Sequence, residues 1–128
     1  MPQENLTFST SHDAERALTA YNDIFRYCTF ESAVIEGGNF DGVFLSCSFR
    51  NVEWYWGLFN TALFVGCTFE DCRFLGTNFS GCRFVDCTFG DCSFLKDNLE
   101  SSCSASDTKT YGCITKNCEG WNELFPNP

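Results

Sequence analysis

The sequence predicts an all-β solenoid, a chain that turns round a square and stacks its coils as parallel strands. Three observations predict it. Bulky residues recur every five positions through most of the chain, and a mostly small residue stands two places before each. The aromatic content is lopsided, with 15 Phe against 4 Tyr and 3 Trp in 128 residues. A period of five matches neither the 3.6-residue helix nor the two-residue strand. It requires a turn in every unit, with one large and one small side chain facing inwards. Such a structure is quasi-one-dimensional, each coil touching only its neighbours.

The elements follow in order. Thr10 or Ser11 is placed to cap a short helix, with Asp13 and Glu15 in its first turn. Ala14, Ala17, Leu18 and Tyr21 fall on one face of that helix and are expected to cover the first coil, while His12 reads as an exposed helix-start residue. The ladder begins at Phe25, Phe30, Ile35 and Phe40. It resumes at Phe44 and runs through Phe49, Trp54, Phe59, Phe64, Phe69, Phe74, Phe79, Phe84, Phe89 and Phe94 to Leu99. Only the step from Phe40 to Phe44 is four, which predicts a tighter corner at Asp41 to Val43. Sixteen units at four per coil make four coils, about 20 Å tall at about 4.8 Å per layer. The interior columns are then Phe25, Phe44, Phe64, Phe84 on the first face and Phe30, Phe49, Phe69, Phe89 on the second. Ile35, Trp54, Phe74, Phe94 form the third and Phe40, Phe59, Phe79, Leu99 the fourth. Beyond Leu99 the pattern fades into a polar loop. Trp121, Leu124 and Phe125 are expected to fold back as a second cap before Pro126 and Pro128 end regular structure. The chain divides into an N-terminal cap (1–22), a repeat body (23–101) and a C-terminal loop and cap (102–128).

The units CTFED, CRFLG, TNFSG, CRFVD, CTFGD and CSFLK resemble pentapeptide repeats. The resemblance covers residues 23–101 and implies a right-handed quadrilateral β-helix. With its flanks the expected fold has about four coils, a short N-terminal helix and an irregular C-terminal cap.

Seven of the ten cysteines fall on interior columns: Cys28, Cys47, Cys67 and Cys87 on the second face, Cys72 and Cys92 on the third, Cys82 on the first. They read as small apolar fillers with free thiols. Side chains in a parallel column neither converge on a metal nor face each other for a disulfide. Cys103, Cys113 and Cys118 fall out of phase, and a redox or metal role stays open beside the filler role. Asp23 and Asp97 occupy inward positions and are expected to bond turn amides.

A formal charge of -9 and a pI near 4.3 argue against a nucleic-acid binder, since a phosphate backbone demands a basic patch. They are compatible with a basic partner or with imitation of a polyanion. No apolar stretch is long enough to span a membrane. The opening MPQENLTFSTSHDAER has neither the basic start nor the apolar core of a secretory signal, which predicts a cytoplasmic protein. There is no phosphate-binding glycine loop, no metal-spaced His/Cys set and no partnered nucleophile, so a non-enzyme without cofactor or metal is expected.

The outward positions carry the functional signal. They are polar on the second face (Thr29, Ser48, Thr68, Thr88) and the fourth (Asp41, Asn60, Ser80, Glu100). On the first face Ile24, Val43 and Leu63, followed by Arg83, precede the Phe ladder, and Leu45, Val65 and Val85 follow it. Contiguous apolar surface of this kind marks an interface, unless the termini fold back over it. A smaller strip on the third face joins Tyr55, Leu75 and Leu95 to Trp56. Glu70, Asp71, Asp86 and Asp91 are expected near the corner between the first and second faces, placed to steer a basic partner. The resemblance implies an immunity protein that binds and neutralises a co-encoded bacterial toxin protein, type VI secretion effectors included, and a nuclease domain suits the acidity. The alternatives are DNA mimicry protecting gyrase, for which four coils offer little DNA-like length, and a generic structural adaptor.

Overall fold

The structure, a computed structural model, describes residues 3–20 and 23–125. Its parallel strands stack in register around a central aromatic core. Phe25, Phe44, Phe64 and Phe84 lie in successive strands of the first face. Phe30, Phe49, Phe69 and Phe89 do so on the second. Ile35, Trp54, Phe74 and Phe94 make the third, and Phe40, Phe59 and Phe79 the fourth. The strands Thr29–Glu36 and Ser48–Tyr55 run through the corner between the second and third faces. Above the lowest rungs, where Phe30 meets Phe49 edge-on and Phe40 is tilted against Phe59, the rings lie nearly parallel up the columns: Phe44 to Phe64 and Phe64 to Phe84 are each 4.8 Å apart, and Phe69 to Phe89 is 4.5 Å. Burial of these rings is the main stabilising contribution.

The corners explain the period. The residue two places after nearly every centre takes the left-handed conformation, Gly42 and Lys96 excepted, with φ of 53–56° at Asn51, Asp71, Asp86, Asp91 and Asn117. Gly, Asn and Asp accept this conformation at least cost. Between Phe40 and Phe44 neither Asp41 nor Gly42 has a positive φ. The residue missing from the four-residue step is therefore the left-handed one. Gly42 packs so tightly there that an added Cβ would stand 3.1 Å from the Phe44 ring.

The coils extend past both expected limits. Strands Gln3–Glu4 and Thr7–Phe8 lie under the first and second faces, pairing Gln3 with Phe25 and Phe8 with Phe30. Helix α1 (Ser11–Leu18) then crosses the open end. The Thr10 side chain accepts a bond from the Asp13 N–H, Ala14 and Leu18 are buried, and Ser11 Oγ accepts the Val34 N–H. An edge that water would otherwise have to solvate is thus closed. Tyr21, expected on the same helix face, lies outside the described residues.

At the other end the expected boundary at 101 is a correction. Strands Ser104–Ser106, Lys109–Tyr111 and Ile114–Lys116 continue the fourth, first and second faces. Leu99 does not complete the fourth column: it is 75% exposed, and Ala105 pairs with Phe79 instead. An insertion around Asp97 carries Leu99 out of phase. The Asp97 carboxylate accepts the Ser101 and Leu99 N–H groups, each at 2.8 Å, and these bonds, Ser101 foremost, hold its carboxyl below the usual range. At Asp23 the bond runs through the backbone, its carbonyl accepting the Val43 N–H.

The last coil hides from a search for bulky residues because its centres are Ala105, Thr110 and Thr115. Their small size leaves room for a plug. Helix α2 (Trp121–Leu124) brings Trp121 to 4.6 Å from Phe89, and Phe125 to 5.6 Å from Phe79. The expected C-terminal cap therefore forms, on top of an additional coil. Pro126 and Pro128 lie outside the described residues. Cys103, Cys113 and Cys118 are in phase after all: their thiols donate to the carbonyls of Phe74, Phe84 and Phe89.

Candidate partner-binding surface

The interior thiols repeat one motif. Apart from Cys28, which donates to the Gln3 carbonyl, each sulfur donates to the carbonyl of a core residue one coil below, as Cys47 to Phe25 and Cys67 to Phe44, both at 3.3 Å. The Thr77 hydroxyl does the same to Trp54 at 3.2 Å. The cysteines thus fill space and satisfy a carbonyl at once, and all ten are free. Burial pushes the Cys28, Cys82, Cys103 and Cys118 thiols up. Among the described residues no group of three His, Cys, Asp or Glu side chains is arranged to hold a metal ion.

The first face brings its predicted residues together. Val43 pairs with Leu63 and Leu45 with Val65, and Val85 stands above Val65. All five are half-buried among one another. Helix α1 packs on the strand Thr29–Glu36 and α2 on Ser93–Leu95, so neither terminal helix packs on this strip. Ile24, 38% exposed, ends the strip below. Tyr111, paired with Val85 and 50% exposed, extends it above. The sequence reading missed Tyr111 because its strand centres on Thr110.

The third-face strip is less available. Leu75 is buried and Tyr55 half-buried, with the Tyr55 hydroxyl bonded to Glu53 at 3.4 Å. Glu53 also pairs with Arg73 at 3.0 Å. The inserted segment, rather than a terminus, folds over this side: a Cβ on Gly76 would meet the Asp97 carboxylate at 2.6 Å. Trp56 remains exposed, in a left-handed corner with φ of 58°.

The carboxylates do not cluster as expected. Asp86 follows the first face and so stands at the corner between first and second. Asp71 and Asp91 follow the second face and stand at its far corner, beside Glu70. A carboxylate set facing one partner is not what places them there. Each Asp supplies a left-handed turn, a constraint that the sequence alone did not separate from charge. The strip's immediate rim is instead cationic. Arg26 is paired with Glu4 at 3.3 Å, Arg83 is held by the Asp107 carbonyl and carboxylate, and Lys109 is exposed.

Residues 58–96 match the family described as pentapeptide repeats (9 copies), so such repeats make up the middle of the chain. No curated protein matches the sequence. Among solved structures, the pentapeptide repeat protein Rfr23 from the cyanobacterium Cyanothece 51142 is 12% identical, with 98% of this chain and 84% of that chain covered and a TM-score of 0.47. Trypsin-treated QnrB1, a plasmid-mediated fluoroquinolone resistance protein, is 11% identical, with 91% and 90% covered and a TM-score of 0.41. No helix among the described residues is long and apolar enough to cross a membrane.

Proposed function

We propose that this protein is a non-enzymatic, cytoplasmic binding protein that neutralises a co-encoded bacterial toxin by laying its first face on the toxin domain. One observation carries the reading. The interior repeat demands nothing of outward positions, yet Val43, Leu45, Leu63, Val65 and Val85 form an apolar strip that the terminal helices leave open. Burying such a strip is favourable by about 25 cal/mol per Å² before association costs. The net charge of -9 attracts a basic domain, such as that of a nuclease, at long range. The reading as a DNA mimic protecting gyrase has less support. Its acidic groups are divided between two corners, and Arg50 stands between Glu31 and Glu70 on the second face.

The test is co-expression with the product of the neighbouring gene. The wild-type chain should protect cells and co-purify with that product. Val65→Glu should fold and fail to do both, because it places a charge at the strip's centre. Protection by a well-folded Val65→Glu, together with failure of Trp56→Ala, would move the site to the third face.

A further inference from the structure

We propose that the open upper edge of the solenoid, strands Lys109–Tyr111 and Ile114–Lys116, takes up an extended segment of a partner protein as one more parallel strand, apolar at its inward positions and acidic where it meets Lys109 and Lys116. This goes beyond the toxin reading and does not rest on it.

The backbone defines the edge. Each coil bonds the next through fixed groups. The corner N–H after the first face donates upwards: Tyr27 to the Leu45 carbonyl, Ser46 to Val65, Gly66 to Val85 and Asp86 to Tyr111. The carbonyl before each second-face strand accepts from above: Cys28 from the Ser48 N–H, Cys47 from Thr68, Cys67 from Thr88 and Cys87 from Ile114. In the last coil the Gly112 N–H and the Cys113 carbonyl hold these places, and neither has a backbone partner among the described residues. Alternate residues of a parallel strand bond to the same neighbour. Ile114 donates down to Cys87 and Lys116 accepts from Asp91 below, so the N–H and carbonyl of Thr115 between them face upwards. The lower end is crossed by α1, whereas the short α2 packs on Ser93–Leu95 and leaves these two strands uncovered. Thr115 is exposed at an inward position where Phe30, Phe49, Phe69 and Phe89 beneath it are buried. A strand edge in this state is a template for a further strand.

The side chains say what kind of strand. The outward column Thr29, Ser48, Thr68, Thr88 is polar in every coil until Ile114 stands in register at its top, 64% exposed. Tyr111 is 50% exposed on the neighbouring strand. Lysine commonly guards an edge strand. An edge guarded against pairing has no use for an isoleucine where its column is otherwise polar. A cavity of about 320 Å³ opens beside the same rim, between Thr110 and Tyr111 on one side and Ala105, Leu124 and Phe125 on the other. The inward residue of a strand laid over Thr110 would enter it, and its lining suits an aliphatic side chain. Lys109 and Lys116 have no ion-pair partner among the described residues, in a chain of net charge -9. Opposite charges in register across a strand pair attract, which places carboxylates over both lysines.

The test uses the full chain and the fluorescein-labelled octapeptide Glu-Leu-Val-Asn-Ala-Val-Leu-Glu, read by anisotropy. It spans the edge from Lys109 to Lys116, with Asn at the corner and Leu over Thr110 and Thr115. The wild type should bind it, and should bind the same peptide with lysine at both ends more weakly. Thr115→Pro removes an N–H that bonds nothing below, so the chain should stay folded by circular dichroism and lose about ten-fold in affinity. Thr115→Val keeps the N–H and should bind as the wild type does. Ile114→Lys should abolish binding, and Leu58→Ser, an exposed apolar position on the fourth face, should leave it unchanged. Failure of the wild type to bind the octapeptide, or wild-type affinity in either Thr115→Pro or Ile114→Lys, would overturn the proposal. A wild-type dimer in sedimentation that Ile114→Lys dissolves would also overturn it, because the edge would then belong to a second copy of the chain.

Discussion

Replacing Phe64 with Ala removes the ring at the middle of the first-face column, where the solenoid has least freedom to adjust. Phe64 is 1% exposed and stacked between Phe44 and Phe84, each 4.8 Å away, with Phe69 edge-on at 5.5 Å. Buried Phe→Ala changes cost about 3–5 kcal/mol, more where the site cannot collapse. Collapse is resisted here because the layer spacing is set by backbone bonds above and below, such as the Gly66 N–H to Val85 at 2.8 Å and the Leu63 N–H to Gly42 at 3.1 Å. The upper half of that range is therefore expected, a large share of the roughly 5–15 kcal/mol that holds a domain folded. The loss should also weaken coupling between the lower and upper coils, because a solenoid is held by nearest-neighbour contacts. Urea unfolding followed by tryptophan fluorescence and far-UV circular dichroism measures both effects, the second as a broadened or non-coincident transition. Phe8→Ala is the control. Its half-buried ring touches the core only from below, at 4.9 Å from Phe30, and should cost much less. A Phe64→Ala loss under about 1 kcal/mol, or one no larger than that of Phe8→Ala, would refute the reasoning.

Three further outcomes are expected. Thr61 is a β-branched residue at φ of 55°, so Thr61→Asn should raise stability by about 0.5–1 kcal/mol, measurable as a higher urea midpoint. The Asp97 carboxyl is held below the usual range by the Ser101 and Leu99 N–H groups. Its contribution is present above the unfolded value near ~3.9 and disappears as pH falls through the lower folded value. Acid unfolding of Asp97→Asn should therefore be less steep below about pH 4, and identical acid profiles would remove Asp97 from that role. Denatured, unreduced protein should titrate ten free thiols, and the folded protein should react slowly at Cys28 and Cys82; a disulfide in the Cys28–Cys47–Cys67–Cys87 column would contradict the packing described.

The sequence by itself determined the period, the square section, the assignment of aromatic columns to four faces, the shortened corner at Asp41 to Val43 and the apolar strip of the first face. Each of these repeats along the chain, and a repeated constraint is legible without coordinates because every coil restates it. What only the tertiary structure decided lies where the repetition stops or where one residue type serves two purposes. The last coil is built on Ala105, Thr110 and Thr115, and its small centres make sense only once Trp121 and Phe125 are seen filling the space above them. Leu99 looks like the next rung and is instead carried outwards by the insertion at Asp97. Asp71, Asp86 and Asp91 read as an acidic patch, whereas the backbone requires a left-handed residue at each of those corners. The reverse holds for Tyr27, unremarked in sequence, whose exposure and strained φ appear only when its corner is compared with those stacked above it.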